Sequence, residues 1–310
     1  MTRVAVCIAT LHRPEGLRRL LRALDGLVFV QSARPVVEVV VVDNDADGSG
    51  GEVCRALAPG LGYRLRYLIE PRRGISFARN RAIDGAGEAD FVAFLDDDEV
   101  PDPRWLDELL AVQRAFEAEI IAGPVIPYFF EGAPAWARQG GFWSPRPYAT
   151  GEAVRDAGTC NVLIRGELLR RMRPAFDPRF ALSGGEDTHF FWRANRARVP
   201  VLWARDARVV EWVPRSRVSA RWLLRRAYRV GTTVGFVERD LDPSLGVALN
   251  RVLRGLGRMA LGAAGIMVAP LGGPRVVAGL LWGARWIVSG AGMIAGVAGR
   301  TYHEYGEQAT

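Results

Sequence analysis

Phe91-Val92-Ala93-Phe94-Leu95-Asp96-Asp97-Asp98-Glu99 joins a short apolar run to an unbroken run of carboxylates. The apolar part reads as a strand, and the acidic part begins where that strand ends. Adjacent carboxylates repel one another and destabilise a strand end unless a cation sits among them. Hard divalent ions such as Mg²⁺ or Mn²⁺ take such oxygens and keep positions open for substrate phosphates. Taken alone, the run reads equally well as a solvated acidic turn.

The flanking sequence decides what this strand belongs to. Upstream, residues 4–9 are an apolar run, 17–27 have helical spacing, and 36–42 are nearly all β-branched, as in a strand buried on both faces. Residues 64–69 form a third strand candidate, and Ser76 is placed to cap a helix reaching about residue 85. Downstream, Pro103 opens a helix through about residue 118. Strands alternating with helices predict an open, mostly parallel α/β sheet. Ligands of such sheets bind at the carboxyl ends of the strands. Polar residues gather at those ends, at 10–13, 43–47 and 96–99.

Three further segments carry candidate chemistry. Asp43-Asn44 follows the valine strand and could read the edge of a flat base, although an Asx turn explains it as well. Arg72-Arg73-Gly74-Ile75-Ser76-Phe77-Ala78-Arg79-Asn80 brings guanidinium groups and a helix start together, as phosphate or ribose oxygens require. Arginines on a helix are commonly just a solvated face. Ser183-Gly184-Gly185-Glu186-Asp187 places a flexible pair of glycines before two acids, able to deliver a carboxylate to a reacting hydroxyl. It is also an ordinary loop before a helix.

Residues 124–160 are rich in Pro, Gly, Trp and Tyr and read as irregular loops. There Trp136, Phe142, Trp143 and Tyr148 could stack on sugar rings or simply anchor the loop. A second structured block runs from Cys160 to about residue 231. Residues 217–230 carry Arg at four-residue intervals beside an apolar stripe, a basic amphipathic helix. Residues 259–274 hold no charge, and 276–299 are broken only by Arg285, but Pro270 and many glycines interrupt them. Neither reads as a clean span, and the expectation is a helical hairpin lying in, or dipping into, one leaflet. The organisation expected is a nucleotide-binding half over 1–125, an acceptor half over 126–235 and a membrane-associated tail over 236–310.

Composition narrows the function classes. All 41 basic residues among the 310 are Arg, which excludes a Walker-type phosphate loop and Schiff-base chemistry, both of which need Lys. Cys7, Cys54 and Cys160 are too far apart for a zinc pair and read as reduced thiols. The net charge of +7 is concentrated between residues 214 and 258, with ten Arg against Glu238, Asp240 and Asp242. A basic stretch leading into an apolar tail favours a membrane surface over nucleic acid. Residues 4–9 are too short for a signal-peptide core, so a cytoplasmic location is expected.

In order and spacing, these pieces together resemble the inverting family 2 glycosyltransferases, which have the GT-A fold. The resemblance is carried by Ile8-Ala9-Thr10 with Arg13-Pro14, Val41-Val42-Asp43-Asn44, residues 74–80, 96–98, 159–165 and Gly185-Glu186-Asp187, and covers roughly 3–235. Through Asn80, residues 94–99, 184–191 and 212–214 it looks most like the glucosyltransferases that extend lipid-linked repeats of succinoglycan-type exopolysaccharide. The resemblance implies that Thr10, Arg13, Asp43 and Asn44 hold the base of a nucleotide-sugar, with a UDP-sugar favoured in that family's manner. It implies Arg79 and Asn80 near ribose and diphosphate, Asp96 on the ribose with Asp97 alongside, and Asp98 on the metal. Asp187 would be the catalytic base with Glu186 beside it on the acceptor side. Many family members complete the metal site with a downstream His. The tail offers only His303, and Glu211 stands near the expected place, so Glu211 is taken as its substitute. His189 reads as a helix-surface residue.

The expected function is hexose transfer, glucose first, onto a lipid-linked or membrane-bound saccharide at the cytoplasmic face of a bacterial inner membrane. A divalent metal, Mg²⁺ or Mn²⁺, is the expected cofactor, no nucleic-acid partner is expected, and homo-oligomerisation is left open. A Rossmann oxidoreductase needs a Gly-rich turn after the first strand, and residues 9–14 contain no Gly. A basic nucleic-acid binder should line its sheet ends with cations and aromatics, whereas these ends are acidic.

Overall fold

A computed structural model describes residues 1–302, so His303 lies outside the described residues. In chain order the elements are β1 (Arg3–Thr10), α1 (Pro14–Asp25), β2 (Val36–Asp43), α2 (Gly51–Leu57), β3 (Arg64–Ile69), α3 (Ile75–Ala86) and β4 (Phe91–Asp96). There follow β5 (Glu99–Pro101), α4 (Trp105–Phe116), β6 (Ile120–Ala122), β7 (Val125–Phe129), α5 (Ala135–Gln139), β8 (Ala153–Val154), β9 (Asn161–Arg165) and α6 (Gly166–Arg171). The last are α7 (Glu186–Arg196), β10 (Val201–Trp203), β11 (Val209–Val213), α8 (Ala220–Leu241), α9 (Leu245–Val268) and α10 (Val276–Val297).

The chain divides into two compact units. The first comprises residues 1–128, 145–182 and 189–212, and the second 129–144, 183–188 and 213 onward. The first holds an eight-stranded sheet in the order β3-β2-β1-β4-β9-β6-β10-β8. β1 runs parallel to both β2 and β4, and β2 parallel to β3, while β9 is antiparallel to β4 and β6. A second sheet, β5-β11-β7, carries the strand of Glu211.

Alternation along β1 explains the two cores. Val4, Val6 and Ile8 pack with α1 and α4 on one face, and Ala5 and Cys7 with α3 on the other. Val39–Val42 of β2 is buried throughout, as a strand covered on both faces must be. From β1 the chain moves outward through β2 and β3, then returns to place β4 on the other side of β1. Connections therefore diverge between β1 and β4, which opens a crevice at the carboxyl ends of those two strands.

The second unit is built around three helices. Ser219 caps α8 and Ser244 caps α9, each hydroxyl accepting the backbone N–H three residues on. α10 lies between α8 and α9 and approaches both through glycine. A Cβ at Gly231 would stand 2.3 Å from the Ser289 carbonyl, and one at Gly292 2.4 Å from that of Tyr228. Gly262 and Gly283 meet in the same way on the α9 side, at 2.5 and 2.6 Å from each other's carbonyl oxygens. Such backbone-to-backbone packing is common between helices in lipid.

Three expectations change. Residues 124–160 are not wholly irregular, since β7, α5 and β8 lie within them. The helix holding residues 259–268 begins at Leu245, and 245–273 and Val276–Val297 are long and apolar enough to cross a membrane, with mean hydropathy 1.4 and 1.3. The amphipathic helix of the basic stretch continues to Leu241 and packs with the apolar tail in one unit.

Candidate functional site

Thr10 ends β1, and its register partner is Asp43 at the end of β2, while Ala9 faces Asp96 at the end of β4. Three strands thus deliver polar groups to one crevice. The Thr10 hydroxyl donates to Asp97 (2.8 Å). The Arg13 guanidinium, from the turn before α1, donates to Asp97 (2.8 Å) and to Asp98 (3.0 Å). Arg79, buried on α3, donates to Asp96 (3.1 Å). The cations that relieve carboxylate repulsion within this protein are therefore arginines brought from two other elements.

Burial pushes the Asp97 carboxyl up to about 6, aided by Asp98 and opposed by Arg13 and Thr10. Burial alone would lower the Arg13 guanidinium, but Asp97 and Asp98 outweigh it and hold the proton. Glu99, buried on β5, is raised well above the usual carboxylate range by burial, then by Asp96, Asp98 and Glu211. Its carboxyl also accepts the Asp96 N–H (2.8 Å), which closes the acidic turn. Glu211 is the register partner of Glu99, and the N–H of the next residue, Trp212, donates to the Asp98 carbonyl (3.0 Å). β11 thus brings Glu211 into the electrostatic field of the Asp98 turn.

Asp43 and Asn44 come to the same sheet edge with their polar groups engaged by the protein. Asp43 is wholly buried and accepts from Gly50 N–H (2.6 Å), Tyr67 hydroxyl (2.8 Å) and Asp45 N–H (3.1 Å). The Asn44 amide donates to the carbonyls of Glu70 (2.9 Å) and Arg72 (2.8 Å), and its oxygen accepts from Gly74 N–H (2.8 Å). It fixes the loop that enters α3. Gly74, at φ 138°, is the residue before that helix, and a Cβ there would fall 2.6 Å from the Ala181 Cβ. Ser76 is not the cap; it is buried within the first turn. Asn80 exchanges hydrogen bonds with the backbone of Phe176, donating at 2.6 Å and accepting at 3.1 Å.

In the second unit, Glu186 and Asp187 open α7 directly after Gly184 and Gly185, whose φ values are 70° and 95°. Gly185 is pressed against Thr233 of α8, where a Cβ would meet the methyl at 2.3 Å. Glu186 is buried, and Asp187 is half-buried with its carboxylate accepting the Thr188 N–H (2.6 Å). His189 is not on the surface. It is 3% exposed, with its ring against Phe180 at 5.0 Å, because α7 buries the face that also carries Phe190.

Asp98 and Glu211 have the hard-oxygen chemistry a divalent ion takes, although the described residues hold no ready group of three metal-ligating side chains. One or two carboxylates suffice where phosphates and water complete the shell, as is usual for Mg²⁺. The donor set fits a metal that arrives with a diphosphate better than a resident one. The aromatic loop is anchored rather than open in its own unit. Trp143 stacks on Trp222 (6.1 Å, 7°), Phe142 stacks on Trp282 (4.9 Å, 24°), and the Trp282 indole donates to the Gly140 carbonyl (2.7 Å). Tyr148 packs on Trp203 in the first unit.

Tyr67 contributes to the site without having been singled out, whereas Glu99 was read as the end of the acidic run without a role of its own. Tyr67 could have been suspected from a strand neighbouring the valine strand, but its bond to Asp43 is a register effect no local pattern reveals.

The model of the family described as Glycosyl transferase family 2 matches residues 5–175. The succinoglycan biosynthesis protein ExoM of Rhizobium meliloti (strain 1021) is 36% identical over 253 residues, covering 81% of this chain and 80% of its own. Glycosyltransferase AglE of Haloferax volcanii is 27% identical over 229 residues, covering 74% and 71%. The crystal structure of S. aureus TarS 1–349 in complex with UDP aligns at TM-score 0.52 and 17% identity, over 99% of this chain and 98% of that one. GalNAc-T7 with UDP, GalNAc and Mn²⁺ aligns at TM-score 0.55 and 14% identity, over 75% and 48%. At those identities the two structures share a fold with this chain.

Proposed function

The chain belongs to glycosyltransferase family 2 and has a GT-A-like fold, and from that premise we propose that it moves a hexose, glucose first, from a UDP-sugar onto a lipid-linked saccharide with inversion. One observation carries the reading: Thr10, Arg13, Arg79 and the Asp96–Asp98 turn converge, hydrogen-bonded, where β1 and β4 diverge. The relative named for succinoglycan biosynthesis supports an exopolysaccharide product. UDP in one structural neighbour, and UDP with Mn²⁺ in another, make these the first ligands to test.

In this reading Asp43 and Asn44 shape the floor of the base site, Thr10 and Arg13 line it, and Asp96 receives the ribose beside Asp97. Arg79 and Asn80 hold the wall formed by α3 near the diphosphate. Asp98 and Glu211 would hold Mg²⁺ or Mn²⁺, which neutralises charge on the departing diphosphate when bound. Arg13 and Arg79 add fixed positive charge on the same side. Asp187 takes the proton of the acceptor hydroxyl as its oxygen forms a bond to the anomeric carbon. The bond to the nucleoside diphosphate breaks on the opposite face, so a single displacement inverts the centre. Glu186 orients the acceptor. The apolar helices α9 and α10 hold the enzyme at the membrane where a lipid-linked acceptor resides, on the cytoplasmic side where nucleotide-sugars are made.

A thermal-shift screen of nucleotide-sugars with and without Mn²⁺ tests this reading. The expected result is stabilisation by a UDP-sugar that requires the metal. No shift with any nucleotide-sugar, together with salt-dependent retention on DNA, would overturn it in favour of a nucleic-acid binder.

A further inference from the structure

Asn161 begins β9 opposite Leu95, the residue before Asp96 at the end of β4. It is buried, and its carboxamide reaches three segments far away in the chain. The amide nitrogen donates to the carbonyls of Ala207 (2.7 Å) and Pro124 (3.0 Å). The amide oxygen accepts the Trp105 indole N–H (2.7 Å). A carboxamide nitrogen has two hydrogens to donate, and both are used. The partners also fix which way the group points, since a flipped amide would set its oxygen against two carbonyls and its nitrogen against an N–H. Gly123 clears the place for it. A Cβ there would stand 2.7 Å from the Asn161 amide nitrogen and 2.3 Å from the Ala207 carbonyl oxygen.

Each of the three partners stands at the root of one strand of the second sheet. Pro124 immediately precedes β7, Ala207 lies two residues before β11, and Trp105 opens α4 a short turn after β5. The roots are also joined to one another. Val209 N–H donates to the Pro124 carbonyl (3.1 Å), and Asp102 N–H to the Arg208 carbonyl (2.9 Å). The acidic groups stand a short way on along the same strands. Glu99 and Glu211 pair two residues beyond Pro101 and Val209, about 7 Å further along. Trp212 N–H then donates to the Asp98 carbonyl (3.0 Å). β5, β7 and β11 have three, five and five residues, too few for a ladder that fixes its own position. The placement of this sheet depends on what grips it.

We propose that Asn161 is a positioning residue for the metal-bearing end of the donor site: it holds the second sheet by its roots and so keeps Glu211 beside the Asp98 turn. This rests on the proposed assignment of Asp98 and Glu211 to the metal. Carboxylates that share a site repel one another, so the backbone that carries them must be fixed. One interior carboxamide serves both arms, because β5 leads out of the Asp98–Glu99 turn and β11 carries Glu211. An apolar side chain of the same size would fill the space, but it would take these bonds from the Ala207 carbonyl and the Trp105 indole. The effect reaches the metal through the sheet, as partners of metal-bearing side chains act through the ligands they orient.

Titration of the full chain with Mn²⁺ at saturating UDP tests this, read as loss of the free-ion paramagnetic resonance signal. Asn161→Asp keeps the shape and the bond from Trp105 but replaces the donating nitrogen by an oxygen that faces two carbonyls. It should raise the Mn²⁺ dissociation constant about tenfold and leave the metal-independent part of UDP binding within about twofold. An unchanged Mn²⁺ constant, whatever happens to the melting temperature, would overturn the inference and leave Asn161 a core residue. Combination with Glu211→Ala tests the route. In that background the effect of Asn161→Asp should largely vanish, and an effect of full size there would overturn the coupling. Should Asn161→Asp fail to fold, Trp105→Phe removes the indole N–H with less disturbance. A Mn²⁺ constant raised severalfold in that variant supports the inference, and an unchanged one overturns it. Absence of Mn²⁺ uptake with UDP by the unaltered protein would overturn the metal assignment together with this inference.

Discussion

Asn44 illustrates how one carboxamide organises a site without having to touch a ligand. Its three hydrogen bonds tie the end of β2 to the loop that carries Gly74. Asn44→Ala should cost about 2 kcal/mol of stability, the combined net worth of such bonds. It should also weaken UDP binding several-fold, and a denaturant melt with a UDP titration checks both. A loss of stability with unchanged affinity would confine the residue to folding. Glu211 is the second residue to test, because it shares the field of Glu99 with Asp98. Glu211→Ala should raise the Mn²⁺ concentration needed for half-maximal activity, and Glu211→His should lower it again. A metal titration identical to that of the unaltered protein would leave Glu211 a structural residue. Which residues reach the strand ends was legible in the sequence, since Thr10, Asp43 and Asp96 each end an apolar run. Which groups they bond was not. The bonds of Thr10 and Arg13 to Asp97 join positions more than eighty residues apart, and His189 looked exposed because nothing local shows that Phe180 covers it.

At the scale of elements, periodicity did most of the work, and capping did least. The valine strand, the strand at 64–69 and the helix before residue 86 lie where their patterns put them. The start of α3 shows why caps are harder: Gly74 is dictated by the nearness of Ala181, a tertiary fact, and Ser76 is drawn into the core instead. Asp107 of α4 escaped notice for the same reason. Its carboxylate accepts the N–H groups of Val30, Gln31 and Ser32 at 2.8–2.9 Å, tying the α1–β2 connection to α4. Burial pushes that carboxyl up, and these donors more than cancel the effect and hold it below the usual range. A depressed folded-state pKa contributes stability above the unfolded value of about 3.9 and loses it as pH falls through the folded value. Asp107→Asn should therefore be less stable by about 1–2 kcal/mol at pH 7, with the gap to the unaltered protein closing below about pH 4. Melts across that pH range check it, and a gap independent of pH would show that the charge is immaterial. The glycine contacts of α10 give a second element-scale test. Gly292→Val places a side chain against the Tyr228 carbonyl, where a Cβ already stands at 2.4 Å. It should separate α8 from α10 and increase protease cleavage within the second unit, leaving nucleotide binding near normal. Unchanged protease resistance would show that the helices can shift to accommodate it.

For the whole molecule, the decisive feature is the divergence of chain connections between β1 and β4, which makes one crevice the natural place for a nucleotide. The alternation of strands and helices over the first half of the sequence was enough to anticipate that crevice. The way residues 129–144 and 183–188 join the C-terminal helices in a second unit was not, because those contacts link segments far apart in the chain. The proposed roles separate accordingly: Asp98 is assigned to donor binding and Asp187 to proton transfer. Calorimetric titration of UDP with Mn²⁺ into Asp98→Asn and Asp187→Asn, with transfer to membrane acceptor followed in the same samples, tests that division most directly. The account predicts that Asp98→Asn loses the metal-dependent part of binding, whereas Asp187→Asn binds UDP as the unaltered protein does and transfers at least about a hundredfold more slowly. Undiminished Mn²⁺-dependent binding by Asp98→Asn, or transfer by Asp187→Asn at a near-normal rate, would contradict it.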